Sequence, residues 1–118
     1  MGFMLRGAIV LAVLLGSHAT AQDALRLKLG ASASVRLPET PSTGYSWRID
    51  EGASKGLDLI GIADRGHTPG KPLPGAPGVH VWSIRAQKLG QASIRFVYQR
   101  PWEPASAETR EIRIEIFR

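Results

Sequence analysis

The sequence predicts an all-β fold: an immunoglobulin-like β-sandwich of about seven strands, preceded by a cleavable signal peptide. Three observations carry this. Apolar and polar residues alternate with a period of two in short windows between Leu25 and Ile116, which puts each apolar set on one face of an extended strand. Glycine- and proline-containing turns separate the windows. Beyond the N-terminal leader, no window sustains a helical period.

The leader shows all three parts of a secretory signal. Arg6 supplies the positive charge, an apolar run of about ten residues extends from Gly7 to Gly16, and Ala19-Thr20-Ala21 precedes a cut at Gln22. The run is too short to span a bilayer, which needs about 20 apolar residues. The chain has no cysteine, so a lipid cannot be attached at a leader cysteine. The expected organisation is a signal peptide over 1–21 and a single β-sandwich domain over 22–118, exported to the periplasm or secreted. Once the leader is cut, no membrane association is expected. A domain of this size buries a modest core, and without disulfides it must rely on sheet pairing and packing.

The elements follow in order. Leu25, Leu27 and Leu29 alternate with Arg26 and Lys28, and Gly30 ends that strand. Val35 and Leu37 define a second strand, and Tyr45, Trp47 and Ile49 a third. Leu57 and Leu59 form a weaker set, with Ile60 and Ile62 on the opposite face. In the fifth window Val79 and Val81 compete with Trp82, Ile84 and Ala86, which predicts a bulge or a two-sided strand. Ala92, Ile94, Phe96 and Tyr98 give the sixth strand, after a hairpin turn at Lys88-Leu89-Gly90-Gln91. Ile112, Ile114 and Ile116 give the seventh. The longest irregular stretch runs from Asp64 to Gly78, a length that in a small domain points to function or motion.

Without the leader's Arg6 the chain keeps 14 Lys+Arg against 10 Asp+Glu, a net charge of +4. The basic residues are spread along strands and never form a run. Nucleic-acid binding, which needs a concentrated basic patch, is not expected. Only His67 and His80 remain as histidines, His67 read as a solvated loop residue and His80 as a sheet-face residue. There is no nucleophile elbow and no ligand cluster for a metal, so neither an enzyme nor a cofactor is expected.

Three loops stand out. Pro41, Ser42, Thr43, Gly44 and Tyr45 read PSTGY: Pro41 fixes φ, Gly44 can take angles closed to other residues, and two small polar residues form the tip. Gly75, Ala76, Pro77 and Gly78 let another backbone approach closely. Arg100, Pro101 and Trp102 place a large aromatic in a polar setting. Trp102 either folds back over the core or serves as a binding anchor, since Trp and Arg are enriched in interface hot spots. Trp47 and Trp82, within strand patterns, are expected in the core. If PSTGY joins the second and third strands and RPW the sixth and seventh, a sandwich brings these loops to one end. The arrangement is that of a rigid scaffold presenting loops to a partner.

PSTGY followed by Trp47, a glycine-rich loop before a strand, and the run FVYQRPWE together resemble the chagasin family of cysteine-protease inhibitors, which carry NPTTGY, GxGG-like and RPW loops. The resemblance covers the mature chain in motif order and spacing. It implies an immunoglobulin-like monomer that inhibits papain-like cysteine proteases reversibly and tightly, wedging three loops into the active-site cleft without a cofactor. Carried over, Thr43 would sit near the catalytic cysteine, Gly75 to Gly78 would lie along the non-primed subsites, and Trp102 would stack on the primed side with Arg100 bracing the loop. The sequence departs from the pattern at Thr40, Ser42 and the GAPG loop, where Pro77 lacks a backbone donor. The alternative is an exported β-sandwich binding module for a carbohydrate or another extracytoplasmic protein, or an assembly subunit pairing through an edge strand.

Overall fold

The computed structural model describes residues 22–118; the expected signal peptide over 1–21 lies outside the described residues. The strands are β1 (Gln22–Lys28), β2 (Ser32–Glu39), β3 (Ser46–Ile49), β4 (Ile60–Thr68), β5 (Gly78–Ala86), β6 (Gly90–Gln99) and β7 (Glu108–Phe117). Four of them form one sheet in the order β1-β7-β6-β3, and three form the other in the order β2-β5-β4. Neighbours are antiparallel except β1 and β7, which run parallel. Gly30, at φ +88, turns the chain from β1 in one sheet to β2 in the other.

The alternating apolar residues face each other across the sandwich. Leu25, Leu27, Trp47, Ala92, Ile94, Phe96, Ile112, Ile114 and Ile116 come from the larger sheet. Val35, Leu37, Ile60, Trp82, Ile84 and Ala86 come from the smaller. Trp82 meets Phe96 across the layers at 4.6 Å in a tilted pair. Each large apolar side chain buried this way contributes about 1.5–3 kcal/mol, which explains how the domain holds without disulfides. Trp47 and Trp82 are both in the core, as their alternation predicts. Pro38 is tolerated inside β2 because β2 is an edge strand.

Several boundaries differ from the sequence reading. Leu57–Leu59 is a 3-10 turn, and the strand begins at Ile60, with Ile60 and Ile62 packing on the core. Leu29 lies in the turn after β1 and is partly exposed. Tyr45 precedes β3 and does not belong to it. The ambiguity in β5 resolves one way: Trp82, Ile84 and Ala86 are buried, and the bulge is on β4 instead. That bulge shortens the expected irregular stretch. β4 continues pairing with β5 through Thr68, so the loop covers only 69–77, and Gly78 is the buried first residue of β5.

The bulge has a local cause. Asp64 pairs with Trp82 and Gly66 with Val81, leaving Arg65 as the extra residue. Gly66 takes φ +82, and its N–H donates to Asp64 Oδ1 at 2.8 Å. A bulge shifts the inward–outward alternation by one. His67, rather than Gly66, therefore pairs with His80 and lies on the same face of the sheet. The expectation that His67 is a loop residue is corrected: it lies in β4, where it remains exposed while its ring is hydrogen-bonded to the buried Glu39.

Candidate functional site

Register alone brings the three loops to one end. Pro38, Val79 and Thr68 form one row across the smaller sheet, at the stems of loops 40–45 and 69–77. In the larger sheet Ser46 pairs with Gln99 and Tyr98 with Glu108, at the stems of loops 40–45 and 100–107.

The first loop is a tight turn. Pro41–Thr43 is a 3-10 turn closed by Gly44 at φ +86, whose N–H donates to Pro41 O at 2.8 Å. The Thr43 hydroxyl donates to Thr40 O at 2.6 Å and accepts from the Tyr45 N–H at 3.3 Å. Below it, Tyr45 stacks on Tyr98 and Tyr98 on Trp47, with centroids 5.2 and 4.7 Å apart. The Tyr98 hydroxyl accepts from the Thr40 N–H at 2.9 Å, and the Trp47 indole donates to Pro38 O at 2.7 Å. Pro41, Ser42 and Thr43 stay exposed above this aromatic ladder.

The third loop is bolted to the first. Arg100 to Glu103 form a turn with Pro101 at its second position, and the Glu103 N–H donates to Arg100 O at 3.1 Å. The Arg100 guanidinium lies over the Tyr45 ring at 4.3 Å, donates from Nε to Thr43 O at 3.0 Å, and pairs with Glu103 Oε2 at 3.3 Å. The Trp102 indole packs on the bare face of Gly44: a Cβ there would come within 2.7 Å of its Cη2. Trp102 is still 68% exposed, so it does not cap the core. An aromatic held in place yet open to solvent has the form of an anchor awaiting a partner.

The second loop is built differently. Leu73 to Ala76 make a turn, with the Ala76 N–H donating to Leu73 O at 3.0 Å and Gly75 at φ +76. Its neck is narrow: a Cβ on Gly70 would run into Pro77 O, and one on Gly78 into Thr68 O. Gly75 and Pro77 are exposed, Ala76 is half-buried, and Gly78 is at the base. Leu73, at 62% exposure, projects its apolar side chain from this loop. The sequence reading missed Leu73 because a single leucine between prolines shows no period; its place before a Pro-Gly turn was the available signal.

Of the expected residues, Pro41, Ser42, Thr43, Gly44, Tyr45, Arg100, Pro101 and Trp102 form one contiguous surface. Gly75, Ala76 and Pro77 lie in the neighbouring loop of the same end, and Gly78 belongs to the strand beneath it. Among the described residues, no group of three or more His, Cys, Asp or Glu has the geometry to hold a metal ion.

Comparison with known proteins adds independent findings. Residues 26–116 match the model of the chagasin family of peptidase inhibitors, I42. Amoebiasin-1 of Entamoeba histolytica is 36% identical over 77 residues, covering 64% of this chain and 71% of the relative. The crystal structure of the Entamoeba histolytica cysteine protease inhibitor EhICP2 superposes with a TM-score of 0.64 at 24% identity, covering 79% of this chain and 85% of that one. PbICP-C, solved in complex with falcipain-2, superposes at 0.62 with 21% identity, covering 85% and 92%. Both superpositions show the shared fold. A family match over nearly the whole described domain, on a sandwich whose motif-bearing loops share one end, places this chain in the chagasin family of peptidase inhibitors.

Proposed function

We propose that this inhibitor acts on papain-like cysteine proteases by seating its three clustered loops in the active-site cleft, reversibly and as a monomer. The observation that carries the reading is the locked pair of loops, with exposed Trp102 seated on Gly44 and Arg100 tying the Thr43 carbonyl. A surface fixed before contact loses little conformational entropy on binding, which favours affinity. The related protein solved with falcipain-2 supports the choice of protease class.

The same geometry is expected to resist cleavage. A protease attacks a substrate carbonyl presented in near-attack geometry. At the tip of the first loop the Thr43 carbonyl is already engaged by Arg100 Nε, and the peptide is curled in a 3-10 turn closed at Gly44. Thr43 would fill the space near the catalytic cysteine without offering an extended bond. Trp102 would anchor on one side of the cysteine, and the second loop, Gly75 to Gly78, would lie along the other. Main-chain contacts of the kind made in strand addition would contribute there, except at Pro77, which has no N–H to donate.

The leader motif supports export to the periplasm or beyond the cell, with processing before Gln22. Mass measurement of the exported protein tests this: a chain beginning at Gln22 is expected, and one retaining Met1 would overturn it. The inhibitor reading is tested by titrating papain with residues 22–118. Stoichiometric loss of activity, with the inhibitor recovered intact, is expected. No inhibition of papain or a cathepsin L-like enzyme at micromolar protein would return the chain to a general exported binding module.

A further inference from the structure

Beneath the loops the smaller sheet holds a polar cluster that the inhibitor reading does not use. Glu39, the last residue of β2, is 2% exposed and points into the loop end of the core. Its Oε2 accepts from the Trp47 N–H at 2.9 Å and lies 3.0 Å from His80 Nδ1, while its Oε1 lies 2.8 Å from His67 Nδ1. The other nitrogen of His80, Nε2, lies 2.6 Å from Asp64 Oδ1. His80 also stacks on Trp82 at 4.2 Å, which fixes its ring plane. The cluster exists because the β4 bulge puts Asp64 and His67 on the side of the sheet that faces His80.

The proton count is the informative feature. A neutral imidazole has one N–H and one lone pair. Both ring nitrogens of His80 face carboxylate oxygens, so only the doubly protonated ring donates to both. Burial works against ionised Glu39, yet the Trp47 N–H and the two histidines outweigh it and hold its carboxyl below the ordinary value. Asp64 is likewise held low, against some burial, by the His80 ring and the Gly66 N–H. Glu39 is therefore an anion in the interior, and a buried anion needs a partner charge. Asp64 is 59% exposed, so solvent weakens its share. The other groups around His80 are its ladder partners Leu37 and His67 and the stacked Trp82; Arg65, at the bulge, is exposed.

We propose that Glu39, His67, His80 and Asp64 form a proton-dependent clamp that sets the spacing of the first two inhibitory loops, so that His80 as imidazolium tightens the grip on the protease. Glu39 immediately precedes the first loop and, through Trp47, holds its far stem. His67 and His80 sit one residue inside the Thr68–Val79 pair that carries the second loop. When His80 loses a proton, one of its two carboxylate contacts becomes lone pair against lone pair, and one stem is released. Histidine is the side chain whose unperturbed charge change lies nearest neutrality. These four act as positioning residues beneath the loops. The inference rests on the inhibitor reading only for its consequence.

Two measurements test it. Imidazole ¹⁵N shifts of the free inhibitor read the clamp with no protease present. At about pH 5.5, below the usual histidine titration, both His80 nitrogens are expected protonated, with slowly exchanging N–H protons. A neutral tautomer there would overturn the proposal whatever the inhibitor does. The second measurement is the ratio of papain inhibition constants for His80→Gln over wild type across pH, which cancels the protease's own titration. The ratio is expected to fall about tenfold from pH 5.5 to pH 8, because wild type weakens and the variant does not. A ratio independent of pH with His80 protonated would mean a merely structural pair and would also overturn it. If the variant does not fold, the rise of the wild-type constant relative to His67→Gln serves the same purpose. Absence of papain inhibition at every pH would instead count against the inhibitor reading, and the ¹⁵N shifts would still decide the clamp.

Discussion

The first and third loops differ from the second in how they are held. The first and third brace each other: Arg100 spans from Thr43 to Glu103 over the Tyr45 ring, and Trp102 closes on Gly44. The second is held by its own turn and a narrow glycine neck, and its tip glycine, Gly75, has open space around it. Shape in the first pair is thus a property of two segments more than 50 residues apart, whereas in the second loop it is local. A rigid pair suits a surface that must not be cleaved.

The largest expected effect comes from breaking the pair at its tightest point. Gly44→Ala meets both a left-handed φ and the Trp102 ring, so the first loop and the indole cannot both keep their places. The papain inhibition constant is expected to rise about 100-fold, with the thermal midpoint falling by a few degrees because the site is at the surface. Unchanged inhibition would show that the pair need not be locked.

Trp102→Ala comes next. It removes the exposed anchor while leaving the core intact, and a loss of about 30-fold in affinity with an unchanged melting temperature is expected. Arg100→Lys keeps the charge but loses the planar stack and the reach from Nε to Thr43 O. A loss of about tenfold is expected, and the intact inhibitor should become cleavable on long incubation with papain, which gel electrophoresis would reveal.

Gly75→Ala probes the other member of the comparison. The φ of +76 is strained for alanine, but nothing lies within 4 Å of the added methyl. The cost is about 1 kcal/mol, so inhibition should weaken less than tenfold. An effect as large as that of Gly44→Ala would erase the distinction between the loops.

The smallest effect concerns pH and stability. Glu39 and Asp64 titrate below their ordinary values when folded. The stability they lend is fully present above the ordinary carboxylate range and is lost as pH falls through the lowered values. Thermal melts taken downward from about pH 6 should show this loss for wild type and a shallower loss for Glu39→Gln. Parallel curves would remove Glu39 as the source.

Much of the site was legible in the sequence because its signals are local. Pro41 and Gly44 announce a tight turn, and a Trp after Arg-Pro outside any strand pattern marks a candidate anchor, whose exposure the structure decides. What was misread depends on pairing between strands. His67 looked like a loop residue because Asp64-Arg65-Gly66 breaks the alternation; only the ladder with β5 shows that the break is one extra residue within a continuing strand. Nothing in the local sequence singles out Glu39 at the end of β2. It is buried because His67, His80 and the Trp47 N–H, from three other strands, converge on it.

Period-two alternation, turn chemistry and the three motifs were therefore determined by the sequence itself, since each rests on residues within about ten positions of one another. Tertiary structure decided that both histidines reach the buried carboxylate, which loops lock together and where that carboxylate finds its donors. Those outcomes depend on register between strands distant in sequence, and shifting register by a single residue reverses the face on which every side chain lands.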